Sequence, residues 1–121
     1  MPDPQEIARH YIDAWNEAEP GRRMALLKET WTPDATYVDP VMKGAGLDEI
    51  SGLIGGVHQR FPGFAFRLIG EPNGHGDQVR FSWALGPDGQ EPPIKGSDVA
   101  VLQAGRLRSV IGFLDQVPAA A

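Results

Sequence analysis

The chain has 121 residues, 41% hydrophobic and 22% charged; these globular proportions give no support to a disordered or membrane chain and leave material for one domain, residues 1–121. It has no cysteine, which excludes a disulfide framework, thiolate chemistry and Cys-based metal sites. A formal net charge of −5 argues against nucleic-acid binding, because a phosphate backbone is held by clustered Lys and Arg that displace counterions.

The stretch Met1 to Glu6 has no basic region followed by an apolar run, so no secretory leader is expected and a cytoplasmic location is the default. Asp3-Pro4-Gln5-Glu6 combines an N-cap acid, a proline at the first helical position and an acid three residues after the cap, which predicts a helix start. Ile7, Tyr11, Ala14, Trp15 and Ala18 then recur at helical spacing, so Tyr11 and Trp15 share the buried stripe, and Glu19-Pro20-Gly21 ends the run. A second helix is expected from Gly21 to Trp31, with Met24, Leu27 and Trp31 inward and Pro33 as its stop. Arg22-Arg23, like Arg106 and Arg108, reads as solvated surface charge.

Asp34 to Pro40 reads as a short extended segment, since β-branched and aromatic residues lie between a turn acid and a proline. Leu47, Ile50, Leu53, Ile54, Val57 and Phe61 define a third amphipathic helix, closed by Pro62-Gly63. From there on the pattern alternates. Phe64, Phe66 and Leu68 form one strand and Val79, Phe81, Trp83 and Leu85 the next, with the turn at Asn73-Gly74-His75-Gly76-Asp77. Two further strands, Ile94 to Gln103 and Arg106 to Leu114, meet at Ala104-Gly105 and complete a four-strand meander. The late strands are apolar on both faces in places, which predicts a homodimer through the sheet.

Three residues stand out chemically. Asp39 follows an extended apolar segment where the chain turns toward the third helix; a carboxylate partly desolvated there by neighbours such as Trp31 suits a general base, and the alternative is a solvated Asp-Pro turn. Asp98 interrupts the row Ile94, Gly96, Asp98, Ala100, Leu102, so it either meets a partner, stays protonated as a hydrogen-bond donor, or faces the other way with Lys95 and Ser97. Tyr11 can aim its hydroxyl into a cavity between helix and sheet, or serve as core. His10, His58 and His75 have no metal-ligand spacing, and no dinucleotide glycine fingerprint is present, so neither a metal nor a cofactor is expected. Gly55-Gly56 and Gly44-x-Gly46 read as close packing and a loop.

The order helix, helix, Ala35-Thr36-Tyr37-Val38-Asp39-Pro40-Val41, helix and four-strand meander resembles the SnoaL-like and ketosteroid isomerase branch of the nuclear transport factor-like superfamily over nearly the whole chain. That resemblance implies an α+β, cystatin-like cone of three amino-terminal helices on a strongly curved antiparallel sheet. It gives Asp39 the role of general base, Asp98 that of the oxyanion-hole acid on the strand before Gly105-Arg106-Leu107, and Tyr11 the second oxyanion donor. It implies acid/base proton transfer next to a carbonyl, the chemistry of isomerases and polyketide cyclases, on a small apolar ligand. Trp15, Trp31, Ile54, His58, Phe66, Phe81, Trp83 and Phe113 are the expected ligand contacts. Trp31 and Ile54 stand where ketosteroid isomerases often place tyrosines, a departure that argues against a steroid substrate. The competing readings are a non-catalytic ligand-binding or dimeric interaction module, since fold does not fix function, and an epoxide hydrolase of the limonene-epoxide type using Arg80, Asp98 and Asp115.

Overall fold

Asp3 caps the first helix, accepting the Gln5 N–H at 3.0 Å, and Pro4 sits in the first turn, where a missing N–H costs nothing. The structure, a computed structural model, describes residues 3–118; Met1 and Pro2, part of the stretch inspected for a leader, lie outside it. Helix α1 spans Pro4–Asn16, and α2, Pro20–Thr30, starts on Glu19, whose carboxylate accepts the Gly21 and Arg22 N–H groups. Strands β1 (Trp31–Val38) and β2 (Lys43–Ala45) precede α3 (Leu47–Arg60), and β3 (Phe64–His75), β4 (Gln78–Pro87), β5 (Ile94–Gln103) and β6 (Arg106–Gln116) follow.

The strands form one six-stranded sheet in the order β2-β1-β6-β5-β4-β3, with the three helices against one face, an α+β fold of the kind expected. The expected sheet was wholly antiparallel. Four of its pairings are, but β1 runs parallel to β6, with Tyr37 opposite Val110 and Val38 opposite Ile111. A parallel neighbour needs a long crossover, and α3 with the meander supplies it. β1 also begins earlier than expected, so Trp31 belongs to a strand rather than a helix; the register shifts between Trp31 and Thr36, where Pro33 has no N–H to give the ladder. The β3–β4 hairpin is tighter than expected. Asn73, Gly74 and His75 remain paired with Arg80, Val79 and Gln78, and the reversal falls on Gly76-Asp77, with Gly76 at φ 55°. A register shift between Ile69 and Asn73 bends β3, as bulges do in curved sheets.

Tyr11, Trp15, Leu27, Trp31, Ile50, Ile54, Phe81 and Val110 meet between helices and sheet as the core. Arg23 belongs with them, which corrects its reading as surface charge: it is 4% exposed and donates from Nε to Ser51 Oγ at 3.1 Å and from Nη1 to the Glu17 carbonyl at 3.2 Å. A Cβ at Gly55 would stand 3.4 Å from the Arg23 guanidinium, at the edge of ordinary contact. On the outer face Val38, Ile111 and Phe113 are exposed beside one another. Among the described residues no helix is long and apolar enough to cross a membrane.

Candidate active site

Asp39 stands one residue past the end of β1, where the chain reverses into β2, and the reversal supplies donors from its own backbone. Its Oδ1 accepts the Val41 and Met42 N–H groups at 2.8 and 2.9 Å, and its Oδ2 accepts the Tyr37 hydroxyl at 2.7 Å. The residue is half-buried and faces a cavity of about 510 Å³ bounded by α1, α3 and the inner face of the sheet. A string of rings forms one wall: Tyr37 against Trp15 with centroids 5.3 Å apart, Trp15 against Phe66 at 5.5 Å, and Phe66 against Trp83 at 5.3 Å. Leu53 and Val57 of α3, with Met42, Leu85, Ile94 and Leu114, give the remainder an apolar surface.

Tyr11 also lines this cavity. Its ring is held by three others, stacked on Trp31 at 5.8 Å, edge-on to Phe81 at 4.8 Å and tilted to Trp15 at 5.9 Å, so the hydroxyl direction is fixed by packing. Burial raises the Tyr11 hydroxyl well above the ordinary phenol value, with the charge of Asp98 adding to the effect. Burial, then Asp98 and the bond to Asp39, raises Tyr37 too. Both phenols therefore remain donors.

Asp98 occupies the inward row of β5 that its alternation predicts, with Ile94, Gly96, Ala100 and Leu102. It is 0% exposed. Tyr11 and Trp83 present their donors to its carboxyl, but too loosely to close a hydrogen bond, so among the described residues neither oxygen has a partner. Burial consequently pushes the carboxyl up to about 6, assisted by the charges of Asp39 and Asp115 and opposed by Tyr11 and Trp83. Two glycines make the arrangement possible. At Gly96 any side chain would run into the Trp83 indole, which lies across it. At Gly112, the β6 partner of Asp98, a Cβ would stand 2.8 Å from Asp98 Oδ1, 3.2 Å from Asp39 Cβ and 3.3 Å from the Tyr37 hydroxyl, so both acids and the phenol converge there.

Of the residues expected at the site, Asp39, Tyr11, Trp15, Phe66 and Trp83 border the cavity. Asp98 does not border it: the carboxyl is sealed behind the wall, and its influence passes through Tyr11 and Trp83. Five expected ligand contacts need correction. Trp31, Ile54 and Phe81 are sealed in the core, Trp31 and Phe81 as the clamp on Tyr11. His58 does not border the cavity; its Nε2 donates to the Trp15 carbonyl at 2.8 Å. Phe113 is 53% exposed on the outer face, because Gly112 and Leu114 take the inward positions of β6. The epoxide-hydrolase set does not converge: Arg80 is exposed opposite Val99, and Asp115 is exposed, accepting Ser97 Oγ at 2.6 Å. Tyr37 is the residue that sequence reading passed over. Its spacing of two from Asp39 along an extended segment, which puts both on one side, was the available signal. Among the described residues no cluster of His, Asp or Glu could hold a metal ion.

Residues 8–110 match the family profile described as a SnoaL-like domain. A candidate isomerase of the SnoaL-like family from Agrobacterium tumefaciens is 42% identical and superposes with a TM-score of 0.88, over 92% of this chain and 96% of that one. A candidate ketosteroid isomerase from Kribbella flavida (17% identity, TM-score 0.70, 98% and 82% covered) and a candidate polyketide cyclase from Sinorhizobium meliloti (18%, 0.71, 93% and 94%) share the fold. No curated protein matches the chain. The chain belongs to the SnoaL-like family.

Proposed function

We propose that this SnoaL-like protein moves a proton beside the carbonyl of a small apolar compound, as an isomerase or cyclase. The observation that carries the reading is that one carboxylate, Asp39, and one fixed phenol donor, Tyr11, face the same apolar cavity. Asp39 takes a proton from the carbon next to the carbonyl, and the electron pair moves onto oxygen. Tyr11 donates a hydrogen bond to that oxygen, in surroundings of low polarity where such a bond is worth most. Asp39 then returns its proton to another carbon, or the enolate carbon attacks a second carbonyl in the same molecule, whose π pair moves onto its oxygen and takes the proton from Asp39. Asp98 acts as a positioning residue behind Tyr11. A developing enolate favours the proton on Asp98, and a protonated Asp98 strengthens the donor in front of it. The division of labour between a carboxylate base and a protonated carboxylic acid follows a known ketosteroid isomerase pattern.

The test is calorimetric titration of wild type and Asp39→Asn with 2-naphthol, a planar phenol that imitates an enolate. Asparagine stands in for the protonated base and removes a negative charge from beside the ligand, so the variant should bind more tightly. Equal or weaker binding by the variant overturns the assignment of Asp39. The exposed row Val38, Ile111 and Phe113 supports a homodimer through the outer face of the sheet, for which Phe113→Arg should leave only monomer in sedimentation velocity.

A further inference from the structure

Helix α3 faces the cavity with an unusual stripe. Gly52, Gly56 and Arg60, spaced four apart and so on one side of the helix, all border the cavity. All three residues are exposed, and a Cβ at Gly52 or Gly56 would meet nothing within 4 Å, so the glycines leave this side of the cavity open rather than serving close packing. Leu53 packs near Gly44, the β2 partner of Tyr37, which places this level of the helix beside the Asp39 end. Arg60 lies two turns further on, about 10 Å along the axis at about 1.5 Å per residue.

Arg60 is the one cationic side chain among the described residues lining the cavity. It has no acidic partner among them, and its guanidinium lies 5.7 Å from the centre of the Phe61 ring. A cation in the last turn of α3 suits the helix dipole wherever it points; His58, in the same turn, is engaged with Trp15. Only a cation on the cavity side can meet a ligand. At the other end the Asp39 carboxylate already accepts three hydrogen bonds, whereas no acidic group among the described residues pairs with the Arg60 guanidinium, which is left for a ligand.

We infer that the pocket takes an elongated apolar carbonyl compound carrying a carboxylate about 10 Å from the reacting carbon, with Arg60 binding the carboxylate and the Gly52–Gly56 wall accommodating the body between. The inference rests on the proton-transfer reading in placing the reacting carbon at Asp39. It is tested by calorimetry with 2-naphthol and 6-hydroxy-2-naphthoate, which differ only by a carboxylate on the far ring. Wild type should bind the carboxylate at least tenfold more tightly, Arg60→Gln should bring the two within twofold, and Arg60→Lys should keep part of the difference. Equal binding by wild type, no binding of the carboxylate, or an undiminished preference in Arg60→Gln overturns the inference. Asp39→Asn separates the two claims. If it tightens neither compound while Arg60→Gln abolishes the preference, the Arg60 site stands and the base assignment falls; the reverse pattern keeps the base and removes the site.

Discussion

At the end of β1 the Asp39 carboxylate accepts three hydrogen bonds, two of them from the backbone of its own turn, whereas in the middle of β5 the Asp98 carboxylate has none. The cause is position in the sheet. A turn has backbone N–H groups to spare, and an acid at its first residue collects them. In mid-strand each neighbouring N–H is committed to the ladder with β4 or β6, so an inward acid depends on side chains, and Tyr11 and Trp83 fall short of it. A carboxylate held by three donors and facing the cavity thus lies within a few ångströms of one that burial destabilises as an anion.

The largest test of that contrast removes the base. Asp39→Ala should lower the rate of conjugation of a β,γ-unsaturated ketone by a factor of about 10² to 10⁴, followed by absorbance, with little change in the fold by circular dichroism. Asp98→Asn keeps a neutral group behind Tyr11 but a weaker donor than the protonated acid, so it should cost only about tenfold in the same assay. The same substitution should act oppositely on stability. Between its ordinary value of 3.8 and about 6, folded Asp98 keeps a proton that the unfolded chain has released. Its favourable contribution is therefore complete below about 3.8 and lost as pH rises through about 6, roughly 3 kcal/mol in all for a group this enclosed. Denaturant midpoints across pH 4 to 8 should show that decline in wild type, and Asp98→Asn should flatten it; a flat wild-type profile would mean that Asp98 finds a partner in solution.

Smaller changes sharpen the comparison from the Asp39 side. Tyr37→Phe removes one of three donors and should reduce kcat about tenfold by freeing the carboxylate to swing, leaving the pH dependence of stability unchanged. Gly56→Ala should stabilise α3 by about 0.5 to 1 kcal/mol in urea melts, because alanine is the better helix former and the added methyl meets open space, while 2-naphthol binds more weakly in the narrowed cavity. A destabilised Gly56→Ala would show that the wall there is already filled.

Much of this was legible in the chain. The cap at Asp3, the inward positions Tyr11, Ala14 and Trp15 of α1 and the alternation of β5 follow from local chemistry with a fixed period and lie where expected, whereas α1 stops at Asn16 and leaves Ala18, expected on the same stripe, exposed. Depth was not legible. Phe81 and Trp83 share a strand and a parity, yet Trp83 borders the cavity and Phe81 is sealed beneath Tyr11, because parity names a face and not the distance from the void. The parallel seat of β1 beside β6 was equally out of reach, since an eight-residue segment looks alike beside either kind of partner.

The sequence by itself determined the three helices and the four-strand meander, the acid at the β1 turn, the acid on an apolar strand face and the tyrosine on an inward helix stripe, because each depends on neighbours within a few residues; the short strand β2 and the early start of β1 were not among them. Only the tertiary structure decided that Asp98 is sealed and orphaned, that Arg23 is buried and that Arg60 looks into the cavity. Those outcomes depend on which surfaces close over a side chain, and closure is a property of elements that meet in space and not of neighbours along the chain, which no local pattern records.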